Sequence, residues 1–292
     1  MSGLKEIRTR IGSIRTTRQV TSAMKMVSAA KLKKAQDAVI GFRPYAIRFK
    51  EIFHSAASAL EDTDTNPYTA ARSSGRVLVV LISGNRGLCG AFNSAVIHAA
   101  MDLIEEKYLQ EAHDDLVDFM AIGKQGERFL HSHKIRVTGS HNHLFDKIDY
   151  DQCAGTCNTL MSSFLNGTYK AIELVYNDFV NAAQYTQVKE TFLPLQIPVE
   201  GRKKGTGDTI YEPSREEVLT DLIPMWLKII FHKALLVSWA AEQGARMTAM
   251  HQATDNATDL LGQLTLQYNK ARQAAITKEI LEITGGAEAL RK

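Results

Sequence analysis

Residues 211–292 read as a single helix that is apolar where it begins, small and polar through its middle, and apolar again at its tip. Pro213 and Ser214 with Glu217 behind them form a capping box at the start, and Gly285-Gly286 is the expected stop at the far end. The intervening stretch of about 70 residues spans roughly 105 Å at 1.5 Å per residue. Helices inside a globular domain usually run to about 8 to 20 residues. A helix of this length has to project into something other than its own chain's core.

The opposite end of the chain offers a partner. From Gly3 to about Ile40 there is no proline and, apart from Gly12, no interior glycine. Leu4, Ile7, Ile11 and Ile14 stand at the a and d spacing of a two-helix seam. Beyond Ile14 the stripe is expected to drift onto a neighbouring face through Val20, Met24 and Val27, while Ser22, Ala23, Ser28, Ala29 and Ala30 keep the profile thin. An ordinary terminal helix docked on a core is the common alternative, but two overlong helices at the two chain ends can each bury the other's stripe. The expected fold class is therefore α/β: a long antiparallel coiled coil of the N- and C-terminal helices plus a central Rossmann-like α/β domain. The segments are 1–60, 75–200 and 211–288.

Composition fits a soluble, folded, cytoplasm-facing protein, at 45% hydrophobic and 23% charged residues with a formal net charge of +3. The best membrane candidate, Leu222 to Ala241, is interrupted by Pro224, Lys228, His232 and Lys233, which suits the base of a packed helix better than a span. Cys89, Cys153 and Cys157 are too few for a disulfide framework, so a reducing compartment is expected. Residues 1–34 hold nine basic side chains against one acid, Glu6, which suggests an acidic partner along that helix. A targeting peptide would bring a composition break that is not there. A nucleic-acid contact would bring aromatics, and none precedes Phe42.

The centre of the chain has a different grammar. Strands are expected at Val77 to Ile82, Leu116 to Ile122, Ile135 to Thr138, Ala171 to Val175 and Gln187 to Leu193, with helices at Asn93 to about Tyr108 and Lys124 to His131. That alternation predicts βαβ units and an open, largely parallel sheet. Pro198 to Pro213 reads as a loop. The glycine loop Ser83-Gly84-Asn85-Arg86-Gly87-Leu88-Cys89-Gly90 does not carry the G-x-G-x-x-G spacing, and no Gly-Lys-Ser/Thr follows it. A tight strand-to-helix turn needs such glycines for its backbone alone, so no cofactor is expected. Cys153 and Cys157 at i and i+4 could join two of His131, His133, His141 and His143 in a zinc site. The favoured reading makes the cysteines small buried hydrophobes and leaves the histidines on a polar loop.

The C-terminal runs Ala245-Arg246-Met247-Thr248-Ala249-Met250, Ala253-Thr254-Asp255-Asn256-Ala257 and Tyr268-Asn269-Lys270-Ala271-Arg272-Gln273-Ala274-Ala275-Ile276-Thr277, with Glu279 and Gly286-Ala287, closely resemble the gamma subunit of F-type ATP synthases. So do Lys5-Glu6-Ile7-Arg8, Thr21-Ser22-Ala23-Met24-Lys25-Met26-Val27 and the central Arg86-Gly87-Leu88-Cys89-Gly90, in the family's order. The resemblance implies a rotor whose paired terminal helices turn inside a ring of three α and three β subunits, while its foot meets an epsilon subunit and the membrane c-ring. Such a chain catalyses nothing by itself, and neither nucleic acid nor a small-molecule substrate is expected.

By the same resemblance, Arg246, Arg272, Gln273 and Thr277 match positions that meet the β subunits, and Met24 matches a methionine beside them. Tyr211, Glu212 and Pro213 match a segment facing the c-ring. Small and polar side chains from Ala240 to Asp259 suit a shaft that must turn in its sleeve. Asn85 stands where family members commonly have Asp, and Cys153 and Cys157 lack the spacing of the chloroplast redox pair. With the motif opening at Leu4, the expectation is a bacterial member, peripheral on the cytoplasmic face of the cell membrane. A Rossmann-like enzyme with helical appendages and a free-standing coiled-coil adaptor are the rival readings.

Overall fold

The computed structural model describes residues 2–57, 66–196, 212 and 215–289. Two compact units share the chain: residues 1–28 with 246–292, and residues 29–245. The capping pair Pro213-Ser214, the loop 198–211 and Tyr211 lie outside the described residues.

The first unit is built from the N-terminal part of helix α1 (Ser2–Ala57) and the C-terminal part of helix α6 (Arg215–Ala289). Its α1 seam runs through Leu4, Ile7, Ile11, Ile14, Arg18, Thr21, Lys25 and Ser28, all at least half-buried at strict three-four spacing. The expected drift does not occur. Val20 and Val27 are 52% and 55% exposed, and the inner positions pass instead to polar side chains. The strict seven-residue repeat keeps the inner line on Arg18, Thr21, Lys25 and Ser28, whose long stems or small bulk fill the contact. On α6 the matching line is deepest at Met250, Ala257 and Leu264.

Two contacts set the register of this antiparallel pair. The Thr254 hydroxyl donates to Thr21 Oγ1 (2.8 Å), and Arg8 Nη2 donates to the Tyr268 hydroxyl (2.6 Å). In that register Ile11 falls level with Leu264, Ile14 with Leu261, Arg18 with Ala257 and Lys25 with Met250. Where the seam is polar, Arg18 therefore stands opposite the small Ala257 and the Lys25 stem opposite Met250, and toward the tip apolar stands opposite apolar. Gly285 and Gly286 do not stop α6, which continues to Ala289. A glycine stop needs a left-handed backbone, and neither residue has a positive φ.

The second unit is a five-stranded sheet in the order β3-β2-β1-β4-β5. Its strands are β1 (Arg76–Ile82), β2 (Val117–Ile122), β3 (Val137–Ser140), β4 (Tyr169–Asn181) and β5 (Gln184–Leu193). All neighbours pair in parallel except β4 and β5, which form an antiparallel hairpin at one edge. Strand β1 is buried on both faces, which is why it reads as an unbroken run of Val, Leu and Ile rather than alternating. Val77, Val79 and Leu81 pack toward α2 (Phe92–Lys107), while α3 (Leu109–His113) and α4 (Lys124–Ser132) complete the connections on the way to β3. Leu78, Val80 and Ile82 face α5 (Tyr150–Leu165) and the unit's own portions of α1 and α6.

On that second face Trp226 of α6 stacks on Phe49 and Phe53 of α1, with ring centroids 6.1 and 5.7 Å away. This packing explains why α1 runs through Gly41 and Pro44 to Ala57, well past the proline-free stretch. An interior proline costs about 3 kcal/mol. Pro44 sits on the exposed side of the helix, and the buried Phe49, Phe53 and Ala56 hold the backbone helical beyond it. Helix α5 is not among the elements expected from the sequence pattern. Its start is capped by the Asp149 carboxylate, which accepts from the amides of Asp151 and Gln152. One window of α6 within Glu217–Ala287 is long and apolar enough to cross a membrane by composition, and 56% of it is buried inside the protein.

Candidate functional site

Of the sequence-derived contact residues, three come together on the outer surface of the first unit; Met24 and Arg246 are not beside them, and Glu212 belongs to the second unit. Arg272, Gln273 and Thr277 lie within two turns on the exposed side of α6. From Ile276 to Ala287 every α6 residue is exposed, including Ile276, Ile280, Leu281 and Ile283 at 46 to 67%. The seam accounts for this. In the observed register Ser2, where α1 begins, is level with Gln273. On α1 the displaced apolar residues make a second line: Val20, Ala23 and Val27 at helical spacing, with Met26 beside them at 66% exposure. Met24 is half-buried at the edge of the seam, and Arg246 is 7% exposed. Glu212 is exposed.

Hydrophobicity alone places Val20 and Val27 in the buried stripe, whereas they form the outward line. The signal was present. Extending the three-four spacing of Leu4, Ile7, Ile11 and Ile14 without interruption lands on Arg18, Thr21, Lys25 and Ser28, and leaves the valines outside.

In the second unit, the loops at the carboxyl edge of the sheet are where an open α/β fold would bind a ligand. Here they are bound to one another. Ser83 Oγ donates to the Gly123 carbonyl (3.1 Å) and accepts from the Gly126 amide (2.9 Å). Asn85 accepts from the Lys124 amide (3.0 Å) and donates to the Asn142 carbonyl (3.0 Å) and to Asp146 Oδ1 (2.8 Å). Asn142 accepts from the Gly123 amide (2.9 Å) and donates to Glu127 Oε2 (2.6 Å), whose other oxygen takes the Ser140 hydroxyl. The hydroxyl and amide donors hold the Glu127 carboxyl below the usual range.

Gly84, whose amide donates to Asn93 Oδ1 (2.8 Å), is pressed by the Glu242 carboxylate of α6, 2.8 Å from where a β-carbon would sit. The loop carries Leu88 outward in a left-handed conformation, with φ of +61° and 66% exposure. The turn therefore survives with Asn at position 85, and its geometry is one of closure.

The cysteines and histidines are not brought together for metal binding. Cys153 and Cys157 point into the core, where burial pushes both thiols up to about 12. His131 and His133 are exposed at the end of α4, and the His133 ring stacks on Phe129 at 4.0 Å. His141 and His143 approach each other at 5.9 Å. Among the described residues no three His, Cys, Asp or Glu side chains form a group that could hold a metal ion.

A helical hairpin of the two chain ends, combined with a mostly parallel α/β sheet whose crevice is closed by its own side chains, sets the class: a coiled-coil subunit carrying an α/β domain. The comparisons make it specific. A family model described as ATP synthase matches residues 3–290. The ATP synthase gamma chain of Flavobacterium johnsoniae is 51% identical over 290 residues, covering 99% of each chain. That of Cytophaga hutchinsonii is 45% identical over 99% of each. The chain belongs to the ATP synthase gamma chain family.

Among solved structures, the fold is similar to a chain of the Euglena gracilis mitochondrial ATP synthase (OSCP/F1/c-ring, rotational state 3). The TM-score is 0.67 at 21% identity, over 99% of this chain and 95% of that one. A chain of the Tetrahymena thermophila mitochondrial ATP synthase central stalk and c-ring matches with a TM-score of 0.60 at 24% identity, over 80% and 99%.

Proposed function

We propose that this chain is the central rotor shaft of a proton-translocating F-type ATP synthase. It couples ion flow through the membrane sector to ATP synthesis and hydrolysis at the β subunits by turning inside the α/β hexamer. The observation that carries this reading is the uncovered apolar surface of the first unit. The α6 tip and the Val20, Ala23, Val27 line are faces that a collar of other subunits would cover, and exposed patches of this kind mark interaction sites. Torque is assigned to Met24, Arg246, Arg272, Gln273 and Thr277 against the β subunits. Arg246 is reached only at its edge. Tyr211 and Glu212 are assigned to the c-ring, and the α/β domain to the epsilon subunit.

The chain catalyses nothing itself and sits peripherally on the cytoplasmic face of the membrane. Support for a non-catalytic role comes from the sheet's carboxyl edge, where Ser83, Asn85, Asn142 and Glu127 spend their polar groups on one another. The test is co-purification of the full chain with α and β chains, followed by ATPase and ATP-driven proton pumping of the complex. A Met24→Lys variant adds a cation to an already basic face, and is expected to assemble normally while pumping falls relative to hydrolysis. Lost assembly with intact coupling would contradict the assignment. Saturable nucleotide binding by the isolated chain would favour the rival reading of an enzyme.

A further inference from the structure

Within the second unit a cavity of about 520 Å³ opens between α1, α6 and the β4–β5 hairpin. Its floor is apolar and aromatic: Phe42 from α1, Trp226, Ile230 and Leu236 from α6, and Phe179 from β4. The volume lies in the range of small-molecule sites, roughly 300 to 1,000 Å³. The charged groups are distributed unequally around it. The helix walls contribute Arg43, Lys50 and Lys233, all exposed, and none of the three makes an ion pair or hydrogen bond among the described residues. The strand wall contributes Asp178 and Glu190, and Glu190 already accepts from the Tyr176 hydroxyl (3.0 Å). Three cations against two carboxylates leave one positive charge in surplus, beside an oily floor.

We propose that this cavity binds a single-chain amphipathic monocarboxylate, a free fatty acid anion of medium length. The alkyl chain lies over Phe42, Phe179 and Trp226, and the carboxylate faces the cations of the helix walls. The chemistry on each side is matched. Apolar area is removed from water along the chain, and the head meets donors that have no other partner among the described residues. Because the ligand touches α1, α6 and the hairpin at once, occupancy ties these elements together and raises thermal stability by mass action.

The chain has two tryptophans, and Trp226 lines the cavity. A full-length Trp239→Phe protein therefore leaves Trp226 as the single indole reporter. Sodium dodecanoate below its micelle concentration is expected to change Trp226 emission saturably and to raise the Tm. Dodecyltrimethylammonium, of similar chain length and opposite charge, is expected to do neither. The combined Arg43→Gln, Lys50→Gln and Lys233→Gln variant changes only exposed groups, so its ligand-free Tm should be retained. Its dodecanoate affinity should fall by about ten-fold, the sum of three exposed charge interactions of about 0.5 kcal/mol each.

An equal response to the two head charges, or unchanged affinity in the triple variant, would overturn the proposal. No saturable response at all would do the same. A response to phosphatidylglycerol vesicles without one to dodecanoate would also overturn it, because the occupant would then be a membrane surface.

Discussion

Replacing Asn85 by Asp isolates the physics of the loop network. The amide donates to Asp146 Oδ1 at 2.8 Å and to the Asn142 carbonyl at 3.0 Å, while its oxygen accepts from the Lys124 amide. The variant keeps the acceptor and turns the donor into a second carboxylate oxygen facing two acceptors. A hydrogen bond to a charged group is worth about 1.5 to 3 kcal/mol and a neutral one about 1. Two unit charges at 4 Å repel by about 1 kcal/mol in water and about 4 at an effective dielectric of 20.

Asp146 is exposed and Asn85 half-buried, so the lower part of each range applies, and the loss at neutral pH is about 2 to 3 kcal/mol. The sign with pH follows. One of the paired carboxyls binds its proton more tightly in the folded than in the unfolded chain, so the penalty is present at neutral pH and shrinks as pH falls through that raised value. Protonation also restores a donor. The assay is thermal and urea unfolding of wild type, N85D, D146N and N85D/D146N from pH 7.5 down to pH 5. The expected outcome is a coupling between the two positions that fades on acidification. An N85D protein as stable as wild type at pH 7.5, or a deficit unchanged by Asp146→Asn, would refute the reasoning.

Other consequences are more direct. Gly123→Ala places a β-carbon 2.0 Å from the Ser83 carbonyl oxygen at a residue with φ of +109°, and should cost about 3 kcal/mol or more in unfolding experiments. Cys153 and Cys157, buried and with thiols pushed up to about 12, should resist iodoacetamide at pH 8 in the native protein and react only after denaturation, as read by mass spectrometry. The double change Ile280→Ser and Leu281→Ser, at side chains 55% and 64% exposed, should leave the unfolding free energy of the isolated chain within about 0.5 kcal/mol of wild type. The same change should weaken co-purification with α and β chains.

Much of the fold was legible because its signals are local. Strand β1 is a continuous buried run, and the helix after it begins within a residue of where its pattern starts. The parallel sheet follows from the alternation of elements. The misreadings have a common cause, which is that tertiary packing outweighs a local rule. The Gly285-Gly286 pair looks like a break, yet it keeps helical φ. Val20 and Val27 look like core because hydrophobicity stands for burial in most helices. Here the partner helix asks for a fixed repeat, and polar side chains occupy the inside. The closed carboxyl edge could not be read from sequence, since the Ser83–Asn85 loop, Glu127 and Asn142 are separated in the chain and meet only once β1, β2 and β3 lie side by side.

The unbroken heptad of the paired helices also has a mechanical side. A seven-residue period is shorter than two helical turns, so the two strands wind about each other with a left-handed lay. Like any two-ply cord, such a pair responds unequally to twisting. Torsion along its lay draws the plies together, and torsion against it prises them apart, first where the Thr21 and Thr254 hydroxyls stand in for a greasy contact. A shaft of this construction is stiffer in one sense of rotation than in the other.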